Sequence, residues 1–102
     1  MELKDTCKIL LDKGNKKVMC YKFKHRKIGR ELAVHEHADY KNVSTITDVT
    51  TGCRFCDILK EIRKVTKDDI KEALDNFIKH YTLEEIKKTC IMKEKQLGNI
   101  KK

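Results

Sequence analysis

The sequence predicts an α+β fold: an N-terminal antiparallel β-sheet of about four strands, packed by two to three C-terminal α-helices. Three observations lead there. Stretches up to Thr51 alternate apolar and polar residues or are rich in β-branched ones, as strands do. Past Gly52 the apolar spacing changes to three and four, as in helices. The chain has 102 residues, enough for one domain and not two, so the mainly β half (1–52) and the mainly α half (53–102) are expected to share a core.

Residues 7–12 and 17–24 read as strands flanking Lys13-Gly14-Asn15-Lys16, a hairpin turn. A helix over 2–13 competes, because Leu3, Cys7, Leu10 and Leu11 also fit helical spacing. On the second strand Met19, Tyr21 and Phe23 share a face expected to point inward, and Lys22 and Lys24 share the other. Lys27-Ile28-Gly29 is a second turn, and residues 30–38 alternate as a third strand. Residues 43–50 are β-branched at six of eight positions, a fourth strand ending at Thr51-Gly52. Phe55, Leu59 and Ile62 then follow helical spacing and predict a short helix. Thr66-Lys67-Asp68-Asp69 resembles a helix N-cap, followed by the stripe Ile70, Ala73, Leu74, Phe77, Ile78 and Tyr81. Thr82-Leu83-Glu84-Glu85 is a capping box. It opens a last helix with Leu83, Ile86, Cys90, Ile91 and Leu97 inward, fraying near Gly98.

Composition excludes several function classes. There is no Pro, no Trp and one Ser (Ser44), which lies in neither a G-x-S-x-G nor an S-x-x-K context, so a serine hydrolase is not expected. Glycines 14, 29, 52 and 98 are too scattered for a phosphate loop or a dinucleotide turn. The longest aliphatic run is Ile9-Leu10-Leu11, so no membrane span is expected. Asp5 precedes any apolar stretch, so no signal peptide is expected. That places the chain in the cytoplasm, the host cytoplasm if it is viral. There Cys7, Cys20, Cys53, Cys56 and Cys90 are thiols or metal ligands rather than disulfides.

The chain carries 24 Lys+Arg against 16 Asp+Glu, a net charge of +8, which favours an anionic partner. Each half is +4, but residues 13–30 hold eight cations and no acid. Lys16, Lys17, Lys22, Lys24, Arg26, Lys27 and Arg30 are therefore the candidate binding residues, with Tyr21 and Phe23 either stacking faces or core. Four arginines among 24 cations favour phosphate contact over base readout.

Cys53-Arg54-Phe55-Cys56 has three readings. Two thiolates, joined by His35 and His37 fifteen residues upstream, would form a Cys₂His₂ zinc site. A C-x-x-C between a strand and a helix resembles the thioredoxin-like arrangement, which implies a lowered thiol pKa; the cis-proline of that family has no counterpart in a chain without proline. The third reading is structural, with the cysteines as small buried apolar residues. His35-Glu36-His37 also resembles the two-histidine motif of rolling-circle endonucleases, which implies a divalent metal and a nucleophilic tyrosine. Glu36 replaces the bulky apolar middle residue, and Asp39 would be the third ligand of such a nuclease.

The sequence thus predicts a small basic non-enzymatic regulatory binding protein without a cofactor. It is expected to be an inhibitor or accessory factor docking on a nucleic-acid-handling protein or ribonucleoprotein, of the kind viruses and mobile elements encode. The alternatives are direct, sequence-independent nucleic-acid binding through residues 13–30, and a zinc-supported binding module.

Overall fold

The computed structural model describes the backbone of residues 2–11 and 14–100 and the side chains of 2–10 and 14–92. Five strands come first: β1 (Asp5–Leu11), β2 (Gly14–His25), β3 (Arg30–Glu36), β4 (Ser44–Asp48) and β5 (Arg54–Ile58). A short 3₁₀ turn (Ile62–Lys64) leads to α1 (Lys67–His80) and α2 (Leu83–Ile100). The strands form one antiparallel sheet in sequence order. The α+β arrangement is as the sequence predicts, with five strands instead of about four. Among the described residues, no helix is long and apolar enough to cross a membrane.

β2 serves two partners. Residues 14–20 pair with β1, and residues 21–25 pair with β3. The β1–β2 hairpin therefore reaches beyond the rest of the sheet, and the Leu10 N–H donates to the Gly52 carbonyl at 3.0 Å. That contact ties β1 to the β4–β5 turn. Gly52 has φ +75°, and a Cβ there would stand 3.0 Å from the Lys8 carbonyl, so the close approach requires glycine.

The tie covers the second face of the sheet. On one face Ile28, Leu32, Val34, Ile46 and Ile58 pack with Ile70 and Leu74 of α1 and Ile86 and Cys90 of α2. On the other, Cys7, Ile9, Cys20 and Ala33 form a smaller core with Val18 and Val49. With both faces covered, Leu32 to His35 are four consecutive buried residues despite their alternating chemistry. Met19 corrects the expected inward face: it is 50% exposed, because it lies on the overhanging part of β2, whereas Tyr21 and Phe23 pack against the main core.

The short helix predicted from Phe55, Leu59 and Ile62 is not formed. Residues 54–58 are β5, and Leu59 is 85% exposed. β4 is buried at all five positions, and its outer edge needs a hydrogen-bonding partner, which β5 supplies. A register shift beside Ile46 and Thr47 sets the neighbours Phe55 and Cys56 both against the main core. That bulge breaks the period of two and leaves a false helical spacing.

The helix starts are as read from sequence. Thr66 Oγ1 accepts from the Asp69 N–H, and the Asp69 carboxylate accepts from the Thr66 N–H, a complete capping box. Thr82 Oγ1 accepts from the Glu85 N–H. α2 continues past Gly98, and Ile91, expected inward, is 48% exposed. The inward placement of Leu97 falls outside the described side chains.

Asp48 is wholly buried, and the Arg30 guanidinium meets it with two hydrogen bonds, at 2.8 and 3.0 Å. Asp48→Ala would leave that guanidinium, itself only 15% exposed, without its carboxylate. Urea unfolding of this variant is expected to show a loss of about 3–5 kcal/mol; a loss below about 1 kcal/mol would mean that the pair is replaceable by solvent.

Candidate anion-binding groove

The hairpin register sets Lys8 directly opposite Lys17. Like charges facing each other across an antiparallel pair are destabilising unless a counter-charge is near. Neither lysine, nor Lys22, forms an ion pair among the described residues. All three line one groove of about 390 Å³, bounded by Thr6 and Asn15 of the hairpin and by the turn Val49–Gly52. Among the described residues, the groove lining includes no carboxylate.

Asp48 builds the far wall. Its carboxylate accepts from the Thr51 N–H at 3.0 Å and from the Thr51 hydroxyl at 2.7 Å. Its own N–H donates to the Cys53 carbonyl, and its carbonyl accepts from the Gly52 N–H. Burial alone would push the Asp48 carboxyl up; the bonds from Arg30 and Thr51 together outweigh it and hold the group below the usual carboxylate range. The negative charge of the turn is thus neutralised internally by Arg30.

The seven predicted binding residues do not form one surface. Lys17 and Lys22 line the groove. Lys16 is opposite Ile9, so it occupies the other face of the hairpin. Lys24 is opposite Glu31 on β3. Arg26 and Lys27 are exposed between β2 and β3, and Arg30 is committed to Asp48 and serves the fold. Lys13 lies outside the described residues. Lys8, Thr50 and Thr51 are groove residues that the sequence reading missed. A turn over 13–16 pairs Asp12 with Lys17; the observed register, with Leu11 opposite Gly14, brings Lys8 there instead.

The zinc set is not assembled. His35 is opposite Thr45 and Cys56 is opposite Ile46, so the two occupy opposite faces of the sheet. Both ring nitrogens of His35 are engaged. Nδ1 lies 2.8 Å from the Glu36 carbonyl, which can only accept, so Nδ1 carries the proton. Nε2 then accepts from the Thr47 hydroxyl at 2.7 Å. His37 Nδ1 accepts from the N–H groups of Asp39 and Tyr40, closing the turn after β3. Among the described residues, no group of three or more His, Cys, Asp or Glu side chains is placed to hold a metal ion. The nuclease trio His35, His37 and Asp39 borders an open cavity of about 300 Å³ of mixed polar and apolar lining, with Thr45, Thr47 and Arg54, but is likewise not gathered on one point.

The thioredoxin-like expectation is also corrected. Cys53 precedes β5 and Cys56 lies within it, so no helix begins at the C-x-x-C. Burial, reinforced by Asp57, pushes the Cys56 thiol up to about 11. Burial and contact with Cys7 push Cys20 up to about 12. Both shifts are away from a reactive thiolate. All five cysteines are free thiols.

A second, apolar pocket of about 170 Å³ lies between β5 and the helices, lined by Phe55, Phe77, Ile86 and Cys90 with Tyr81 at its mouth. Phe77 packs against both Phe55 and Tyr81, with ring centroids 5.3 and 5.1 Å apart. Tyr81, Ile91 and Met92 are each about half exposed. Comparison with protein-family models, curated proteins and solved structures gives no match to this chain.

Burial pulls the His35 pKa below its ordinary value, and it does the same for His25. The unfolded chain therefore takes up protons below about pH 6.5 that the folded chain refuses. Stability should be full above that pH and decline as the pH falls toward the folded values. Urea midpoints between pH 7 and pH 5 should drop for the wild type and drop less for His35→Asn. Parallel curves for the two proteins would contradict a buried neutral His35.

Proposed function

We propose that the protein is a small non-enzymatic cytoplasmic binding protein that takes the phosphate backbone of nucleic acid into the groove between the β1–β2 hairpin and the Val49–Gly52 turn. The observation that carries this reading is that Lys8, Lys17 and Lys22 line one groove with hydroxyl-bearing walls and, among the described residues, no carboxylate. Phosphate oxygens are the acceptors that ammonium, hydroxyl and amide donors suit. An anion between Lys8 and Lys17 also relieves the repulsion that their register creates. Lysine heads carry no base code, so binding is expected to be largely independent of sequence.

The apolar pocket beside Tyr81 supports a second reading, in which the chain docks on a nucleic-acid-handling protein. Half-exposed Tyr81 at the pocket mouth, with Met92 one and two turns beyond Thr89 and Glu85 of its lining, would supply the desolvated centre of that contact. A partner captured after nuclease treatment and lost with Met92→Glu would favour this reading.

Salt titration tests the first reading. Three neutralised phosphates give a log–log slope of about −2.7 on duplex DNA and about −2 on single strands. Lys8→Ala/Lys17→Ala/Lys22→Ala should remove most of that slope. Its thermal midpoint should stay level or rise, since the opposed lysine pair is gone. Affinity without salt dependence, or a triple variant that binds like the wild type, would refute the groove.

A further inference from the structure

The far half of β2 carries a second feature. β1 begins at Asp5, opposite Cys20, so, among the described residues, 21–25 pair with β3 on one side and with no strand on the other. Tyr21 and Phe23 lie two apart on the face toward the helices, with ring centroids 6.1 Å apart and planes 22° from parallel. Both are half-buried against the main core, and both line an open groove of about 250 Å³. Its other wall is the first two turns of α1, which present Ile70, Lys67 and Lys71, the two lysines one helical turn apart and exposed. Among the described residues no acid lines it, although Asp75 of α1 is near enough to act on His25, which does.

Paired aromatic faces flanked by ammonium groups suit a flat heterocycle joined to an anion. Bases have two such faces, and in single strands those faces are unstacked and accessible, whereas in a duplex they are covered by neighbouring pairs. We infer that Tyr21 and Phe23 stack unpaired bases of single-stranded nucleic acid while Lys67 and Lys71 take the adjoining phosphates. This rests on the phosphate-binding reading above and narrows it from nucleic acid in general to the single strand. The same strand, β2, also supplies Lys17 and Lys22 to the first groove.

The test compares a 2-aminopurine-labelled oligonucleotide with its duplex over a range of salt. The wild type should bind the single strand more tightly and change its 2-aminopurine emission. Tyr21→Leu and Phe23→Leu keep apolar volume in the core and remove the rings. Each should lose about tenfold in single-strand affinity, with the salt slope unchanged and duplex binding little altered. Lys67→Ala/Lys71→Ala involves only exposed side chains, so it keeps the experiment decisive if a leucine variant misfolds. With these two phosphates added to the three of the first groove, the single-strand slope should be about −3.5, and this variant should reduce it by about 1.4.

Equal affinity for strand and duplex, with the leucine variants unaffected, would overturn stacking and leave the lysine groove standing. Salt-dependent capture of polyglutamate as tight as that of the oligonucleotide would overturn it in favour of an acidic protein surface. A wild type that binds neither polymer in a salt-dependent way would overturn both readings.

Discussion

The carboxylate of Asp48 is the contact on which the rest of the structure depends. It is wholly buried, neutralised by Arg30 and bonded twice by Thr51. These bonds fix the turn that ends β4, and the turn fixes Gly52. Gly52 then receives the Leu10 N–H and allows β1 to approach closely enough to cover the second face of the sheet. Without that tie the β1–β2 hairpin would be a projecting two-stranded ribbon, a form that is marginal in water. The groove is a product of the same arrangement, since one wall is the hairpin and the other is the turn.

Charge is distributed accordingly. The one acid within the β4–β5 turn is withdrawn into the interior, and its partner Arg30 is withdrawn with it. The groove lysines Lys8, Lys17 and Lys22 remain at the groove surface, held on strands. Strand register, not local composition, brings Lys8 and Lys17 together, and Lys22 lines the groove from the alternate face of β2. Lys16 and Lys17 are neighbours in sequence and point to opposite faces, whereas Lys8 and Lys17 are nine residues apart and directly opposed.

The helical half was legible because its signals are local. Thr66 and Asp69 cap each other across three residues, and the α1 stripe repeats along one face, so nothing distant is needed to read either. β5 was not legible, because the bulge that seats Phe55 and Cys56 in the core removes the alternation that marks a strand. Met19 was misplaced because period two identifies a face but not what covers it. At the candidate site, Lys17 and Lys22 stand out in an acid-free segment. Lys8 follows only from the hairpin register, which a turn placed two residues too late conceals. The Arg30–Asp48 pair spans eighteen residues and becomes visible only when β3 and β4 are aligned.

Under the proposed reading, the wall organised by Asp48 and the hairpin lysines form one anion-binding surface. An NMR titration of the ¹⁵N-labelled chain with a short single-stranded oligonucleotide tests it most directly. Amide shifts are expected together on Lys8, Lys17, Lys22, Thr50, Thr51 and Gly52, with a second set at Tyr21, Phe23, Lys67 and Lys71, and the groove shifts should fade as salt is raised. Shifts centred on Tyr81 to Met92, or no shifts at saturating oligonucleotide, would contradict it.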